Sequence, residues 1–194
     1  MWGEVNARES SPEATSAARA RVEVPDFREV YEKHVTSLWR GARALGIPEH
    51  AVEDVLQDVF VVVHRRLPEF EGRAALRTWL MKILVRVVAT HRRRHRRKGG
   101  HDELPDVPDE REAGPHEHAA RREAAVLLQK ILDAMDEDQR TVFVLAEIEQ
   151  LPVPEIAIAI GENVNTTYSR LRLARRDYET QLARLRARDE WRGR

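Results

Sequence analysis

From Asp26 onward, apolar residues recur at intervals of three or four positions, which is the repeat of an amphipathic α-helix. The first half of the chain contains three such stretches, at residues 30–45, 51–63 and 76–88. The β-branched run at residues 59–63 is also typical of a strand, but it continues the helical spacing that begins at Ala51, and charged residues lie on the opposite side. We therefore predict that the chain folds entirely as α-helices.

Two segments lack this spacing and divide the chain. Residues 1–24 are rich in Ser, Ala, Glu and Arg without an apolar stripe, so we predict an N-terminal extension that is disordered or at most a loose helix. Residues 99–117 combine Gly and Pro with acidic residues, which is typical of a flexible linker. The sequence thus predicts two small helical domains, at residues 25–98 and 118–188.

The C-terminal domain contains the pattern of a helix-turn-helix. Its first helix is predicted at residues 153–160 and its second at residues 164–188, with Gly161 free to adopt the left-handed turn between them. Ala157 is small enough to let the two helices cross closely. We expect three apolar side chains to fill the wedge between the helices: Ile156, Ile160 and Val164.

The start of the second helix is the part that would enter a DNA major groove. Either Asn163 or Asn165 can cap this helix. Arg175 and Arg176 lie one to two turns after Arg170, within reach of phosphates. The side chains expected to face the groove itself are Asn165, Thr166, Tyr168, Ser169, Arg170 and Arg172.

Charge is segregated along the chain, although the totals balance at 33 basic and 33 acidic residues. From Lys82 to Lys98 every charged side chain is basic, and the linker that follows is acidic. A solvated helix face accounts for isolated arginines. A cluster as dense as that at residues 92–98 instead favours binding to a polyanion such as nucleic acid.

Other classes of function lack support in the sequence. The chain has no cysteine, which excludes disulfides and thiolate metal sites and is consistent with a cytoplasmic location. We see no secretory signal at its start and no apolar run long enough to span a membrane. There is no phosphate-binding loop or nucleophile elbow, so we expect neither an enzyme nor a cofactor. His91 and His95 have a metal-chelating spacing, but the arginines around them disfavour a metal site.

Three motifs, in order along the chain, resemble those of the extracytoplasmic-function (ECF) class of bacterial sigma factors. The run DVLQDVF at residues 54–60 is similar to the helix that docks on the coiled coil of the RNA polymerase β′ subunit. FEG at residues 70–72, followed by LRTWL at 76–80, is similar to the segment that melts and reads the −10 promoter element. The third motif is similar to the helix that reads the −35 element, and it consists of Gly161, Thr166, Ser169-Arg170-Leu171 and Ala174-Arg175.

The resemblance implies partners and binding residues for each motif. Core RNA polymerase (its β and β′ subunits) is expected at Asp54, Gln57, Asp58 and Phe60, of which the first three form an acidic, hydrogen-bonding helix face. The −35 element is expected at eight residues of the second helix of the helix-turn-helix, namely Asn165, Thr166, Tyr168, Ser169, Arg170, Arg172, Arg175 and Arg176. An anti-sigma factor is implied as a further partner. The −10 element is expected at Phe70, Gly72, Arg73, Thr78, Trp79, Lys82, Arg86 and Arg93.

Several positions keep a second interpretation. Trp79 is also typical of a core residue, and the face at Asp54 is also typical of a solvated helix. Three residues differ from those that the family often has at the same positions, namely Arg86, Thr90 and Tyr168. We therefore expect unusual promoter preferences. Thr167 replaces an apolar residue, so slightly looser packing is expected there.

Two alternative functions are a helix-turn-helix regulator that acts without polymerase and a sigma-like protein that acts through protein contacts alone.

Overall fold

The computed structural model describes residues 24–97 and 115–192, with side chains described at 24–97 and 123–188. The predicted N-terminal extension, apart from Val24, and most of the predicted linker lie outside the described residues. Every regular element within the described ranges is helical, which confirms the all-α prediction. The α-helices are α1 (Phe27–Ala44), α2 (Glu49–Arg66), α3 (Leu76–Arg97), α4 (Pro115–Ala134), α5 (Glu137–Phe143), α6 (Val153–Ile160) and α7 (Val164–Arg192).

Helices α1, α2 and α3 form the N-terminal group. The Asp26 carboxylate caps α1 by accepting hydrogen bonds from the backbone N–H groups of Arg28 and Glu29. Between α1 and α2 the chain turns at Gly46, whose φ of 87° is in the left-handed region. The apolar residues that predicted the three helices form their shared core, which includes Val30, Leu38, Val52, Val55, Val59, Leu80 and Leu84.

Helices α4 to α7 form the C-terminal group. Helix α4 begins at Pro115, three residues before the predicted start of this domain, and α7 continues to Arg192. Helix α5 runs directly into a π-helical turn at Val144–Ile148. Helices α5 and α7 pack against each other, with the rings of Phe143 and Tyr178 stacked at a centroid distance of 5.0 Å.

The helix-turn-helix forms as predicted at α6 and α7. Gly161 has a φ of 75° and ends α6, and the side chain of Asn163, not that of Asn165, caps α7 by accepting from the Asn165 N–H at 2.8 Å. Ile156 and Ala157 are buried as expected. Thr167 is fully buried, but its hydroxyl donates to the Asn163 carbonyl at 3.0 Å, so the polar group is satisfied.

The prediction that Val164 fills the wedge between α6 and α7 is wrong. Val164 is 38 % exposed at the first position of α7, so it is not a buried part of the wedge. Two residues about two and three turns further along α7 are buried in its place, namely Leu171 and Ala174.

Helix α3 joins the two groups. It packs against α1 and α2 in its own group and against α6 of the C-terminal group. One apolar cluster consequently runs through both groups, from Val30 on α1 to Ala174 on α7. The N-terminal and C-terminal helices therefore share a continuous core in this structure.

Substitution of Leu84 tests this packing. Leu84 has no exposed surface, and a Cβ built on Gly41 of α1 would lie 2.9 Å from its Cδ2 atom. We expect Leu84→Ala to lower the free energy of unfolding by about 2–5 kcal/mol, since it leaves a cavity in the core. The control is Val61→Ala on α2, where Val61 is 42 % exposed and a change within about 0.5 kcal/mol is expected. Urea unfolding measures both, and equal losses would contradict this packing.

Candidate nucleic-acid interface

Helix α2 presents the predicted acidic face. Asp54, Gln57 and Asp58 are all exposed, while Val55 and Val59 between them are buried. The only ion pair that we find near this face joins Asp58 to Arg94 of α3 across 3.9 Å, within the part of the chain that is described. These three side chains thus remain accessible to a partner.

Next to this face, an apolar groove of about 810 Å³ runs between α1 and α2. Phe60 is only 7 % exposed and packs against Phe27 and Tyr31, with ring centroids 6.3 and 4.7 Å away. Gln57 also lines the groove, so it connects the groove to the acidic face. Phe27 and Tyr31 were not among the predicted residues, although their spacing of four positions places them on one side of α1.

The residues predicted to hold the −10 strand meet around one cavity. It has a volume of about 430 Å³ and lies where the loop before α3 reaches the start of that helix. Gly72 permits the turn with a φ of 67°, and the rings of Phe70 and Trp79 lie 5.4 Å apart at a tilt of 58°. The cavity is lined by six of the eight predicted residues, namely Phe70, Gly72, Arg73, Thr78, Trp79 and Lys82.

The other two predicted −10 residues lie elsewhere on α3. Arg86 and Arg93 are both exposed, further towards the C-terminal end of the helix. Thr90 lies between them, donates to the Arg86 carbonyl at 2.9 Å and accepts from Arg93 at 3.3 Å. These arginines therefore extend the cationic surface along α3 without contacting the cavity.

Helix α7 exposes most of the residues predicted to read a major groove. Seven of the eight are exposed, while Arg170 is half-buried and pairs with Glu162 at 3.1 Å and Asp138 at 3.3 Å. Arg175 pairs with Glu147 at 2.7 Å. The exposed residues are Asn165, Thr166, Tyr168, Ser169, Arg172, Arg175 and Arg176.

A set of carboxylates that the sequence analysis missed joins the two groups of helices. Glu149 follows the π-helical turn, and its side chain is 4 % exposed. It accepts from Arg77 of α3 at 2.8 Å and from Ser37 of α1 at 3.1 Å. The burial of Glu149 could have been predicted from the sequence, because Glu149 continues the helical spacing of Val142 and Leu145 and so falls on a buried helix face.

Two further carboxylates of the C-terminal group contact α3. Glu155 of α6 accepts a hydrogen bond from Thr78, which is 1 % exposed. Glu137 of α5 accepts from Arg92 and Arg96 at 3.1 and 2.9 Å. We call these contacts of Glu137, Glu149 and Glu155 with α1 and α3 the interdomain seam.

The charges in this region shift two pKa values. Partial burial alone would raise the pKa of Glu137, but hydrogen bonds from Arg96 and Arg92 lower it below its usual value. Burial lowers the pKa of His91, as does the neighbouring His95, whose ring stacks on it at 6.3 Å. Among the described residues, no three His, Asp or Glu side chains are arranged to hold a metal ion, and no helix is long and apolar enough to cross a membrane.

Comparison with protein families matches both groups of helices. Residues 30–98 match the model of sigma-70 region 2, which covers the acidic face of α2 and the whole of α3. Residues 125–177 match a model of sigma-70 region 4, which covers the helix-turn-helix. The two matches occur in the order that the sequence motifs predicted.

Individual proteins show the same relationship. The chain is 31 % identical to the RNA polymerase sigma factor NccH of Alcaligenes xylosoxydans over 86 % of its length and 91 % of the relative. It is 28 % identical to the ECF RNA polymerase sigma factor SigM of Mycobacterium tuberculosis, over 82 % of this chain and 76 % of the relative.

A solved structure has the same fold. The structure of CnrH in complex with the cytosolic domain of CnrY superimposes with a TM-score of 0.61 at 28 % identity, and the match covers 81 % of this chain and 87 % of CnrH. Sigma factors as a family do not catalyse reactions, in agreement with the expectation of a non-enzymatic protein. The fold, the order of the motifs and these relatives together show that the chain belongs to the ECF class of the sigma-70 family of RNA polymerase sigma factors.

Proposed function

We propose that this sigma factor binds core RNA polymerase and directs it to promoters that it recognises through their −10 and −35 elements. The observation that supports this most strongly is the cavity before α3, where six residues implied by the family motif lie around one space. Aromatic rings and a cationic helix beside one another are suited to a single DNA strand, because rings stack on bases while Lys and Arg attract phosphates. The N-terminal domain, residues 25–98, would capture the −10 strand there.

Core polymerase would bind the same domain on α2. Asp54, Gln57 and Asp58 offer exposed hydrogen-bond acceptors. The groove beside them offers apolar surface at Tyr31 and Val61, with the largely buried Phe60 packed against Tyr31. A partner helix with one apolar side and a basic edge fits both features at once. The partner would be the coiled coil of the β′ subunit that the family resemblance implies.

The C-terminal domain, residues 118–188, would read −35 duplex DNA with the exposed face of α7. Asn163 caps that helix, so its first turn is ordered and presents Thr166, Tyr168 and Ser169 to the groove. Arg172 and Arg176 follow on the exposed side, where they can contact phosphates. The acidic linker between the domains would pass along basic surface of the polymerase.

An anti-sigma factor is a further proposed partner. CnrH is similar to this chain and its structure was solved with the cytosolic domain of CnrY bound. An inhibitor of this kind would compete with polymerase for the exposed groove between α1 and α2, which is lined by Tyr31, Trp39 and Phe60. Catalysis would belong to the polymerase, so the chain would need no cofactor.

Transcription in vitro tests the proposed function directly. Purified core polymerase is incubated with a library of bacterial promoters, with and without this protein. We expect a defined set of transcripts only when the protein is present, and their start sites would give its −10 and −35 preferences. Tight core binding without transcripts would instead indicate a sigma-like regulator. Absence of both would indicate a helix-turn-helix regulator that acts without polymerase.

Substitution of Arg172 tests the −35 surface. We expect Arg172→Ala to weaken binding to −35 duplex DNA by about fivefold or more, because a base or phosphate contact contributes about 1 kcal/mol or more. Affinity for core polymerase should not change. The matched control is Arg184→Ala, an exposed arginine on the same helix about 18 Å further along. Fluorescence anisotropy measures both variants, and equal effects would place the DNA surface elsewhere.

Substitution of the acidic face tests polymerase binding. We expect Asp54→Ala combined with Asp58→Ala to weaken core binding by about fivefold or more at low salt, and less at high salt, since exposed charges act mainly through screened attraction. Binding of −35 duplex should be unaffected. Glu123→Ala combined with Glu179→Ala removes two exposed carboxylates from the C-terminal domain and serves as the control. Interferometry on immobilised core enzyme would contradict the proposal if both double variants bind alike.

A further inference from the structure

We infer that Arg170, one of the four arginines predicted to bind −35 DNA, is a positioning residue that fixes the start of α7 and makes no contact with DNA. The sequence pattern did not separate these arginines, since all four lie on the predicted DNA-reading helix. This assignment rests on the proposed function, which supplies duplex DNA as the ligand of α7. The contacts that support it lie entirely within the C-terminal domain.

The rotation of α7 places two of the arginines on its outer face. An α-helix turns by about 100° per residue, so a shift of two positions moves a side chain to nearly the opposite face. Thr167, Leu171 and Ala174 form the buried stripe of α7. Arg172 lies two residues before Ala174 and Arg176 lies two residues after it. Both arginines therefore lie opposite the buried stripe, and both are exposed.

Arg170 lies at the edge of the buried stripe instead. It immediately precedes Leu171 and follows Thr167 by three positions, so its side chain leaves the helix beside the packed face. The Arg170 side chain is 27 % exposed, whereas that of Arg175, at the opposite edge, is 57 % exposed. Arg170 is therefore held against its own domain.

Two carboxylates from different elements hold the Arg170 guanidinium. Its Nη1 atom lies 3.1 Å from Glu162, in the turn between α6 and α7, and its Nη2 atom lies 3.3 Å from Asp138, in the first turn of α5. A guanidinium suits this bridge, because its N–H donors point in fixed and separate directions. We call these three side chains the arginine clamp. The clamp ties the start of α7 to the turn before it and to α5, the helix packed against it.

The same carboxylates make a DNA contact by Arg170 unfavourable. A phosphate that took its guanidinium would leave Glu162 and Asp138 unpaired beside a negatively charged backbone. Within the part of the chain that the structure describes, no carboxylate pairs with the guanidinium of Arg172 or Arg176. These outer arginines can therefore donate to DNA without breaking an ion pair, while the clamp keeps their helix in place.

The salt dependence of binding tests whether Arg170 contacts DNA. The probe is a duplex that the parent protein selects from a randomised pool, and its Kd is measured by fluorescence anisotropy over a series of salt concentrations. Each phosphate that a side chain neutralises contributes about 0.9 to the slope of log Kd against log salt concentration. We expect Arg176→Ala to lower this slope by about 0.9, while Arg170→Ala leaves it unchanged.

Loss of the two carboxylates tests the positioning role. Glu162→Gln combined with Asp138→Asn removes two negative charges, which by itself would strengthen attraction to DNA. We expect this clamp variant instead to lose about threefold or more of its preference for the selected duplex over a scrambled one, because partly exposed ion pairs that held the start of α7 are gone. The ratio of the two Kd values is informative, since a loss of folded protein would weaken binding to both duplexes alike.

A matched control and a double-mutant cycle complete the test. Glu123→Gln combined with Glu179→Gln removes the same charge from exposed positions of the C-terminal domain outside the clamp, and it should change the ratio by about twofold or less. The clamp variant is then combined with Arg172→Ala. We expect little further loss of preference in that combination, because the clamp acts on DNA through the outward-facing side chain of Arg172.

A salt slope that falls as far in Arg170→Ala as in Arg176→Ala would show that Arg170 contacts DNA. Arg170→Gln replaces the first variant if circular dichroism shows that it is unfolded. An unchanged or stronger preference in the clamp variant would overturn the positioning role. Neither measurement uses polymerase, so a helix-turn-helix regulator that acts without polymerase would pass both and fail the transcription test. Selection of no duplex by the parent would contradict the proposed −35 surface as a whole, which is a different result.

Discussion

The packing of α3 against both groups of helices is the interaction on which the rest of this structure depends. Its buried residues, which include Leu80, Leu84 and Val88, hold it against α1 and α2. Its remaining sides are available for α6 and for the cationic surface, since the arginines cluster towards its C-terminal end. One helix supplies core packing, a contact between the two groups of helices and the proposed DNA surface. A change in the position of α3 therefore alters all three.

Positive charge is concentrated at the end of α3 and is partly compensated by the C-terminal group of helices. Its last turns contain Arg92, Arg93, Arg94, Arg96 and Arg97, whose mutual repulsion is unfavourable, although basic residues at a helix C-terminus do interact well with the helix dipole. Glu137 relieves part of that repulsion by pairing with two of them, and the lowered pKa of its carboxyl reflects the same attraction. The interdomain seam is therefore favourable as long as no polyanion competes for α3.

Much of the fold followed from local patterns, whereas the seam did not. Helical spacing, Gly161 and the cap before α7 act within a few residues, so the helices and the helix-turn-helix were predictable. The packing of α6 on α3 joins residues more than 70 positions apart, as in Thr78 and Glu155. Val164 was misassigned because helical spacing alone does not show which residues at the start of α7 are covered by another helix, which is a tertiary property. The site residues around the cavity were predicted through the family motif, and their grouping around one space required the fold.

The exposure of the proposed surfaces constrains the order in which partners can bind. The acidic face of α2 and the groove beside it are accessible in this structure, while Thr78 is not. The proposed polymerase contact on α2 therefore requires no change in the interdomain seam, whereas a ligand can contact Thr78 only if α6 moves. A partner that binds better once α6 has moved shifts the population towards that arrangement, and one with equal affinity for both arrangements shifts nothing.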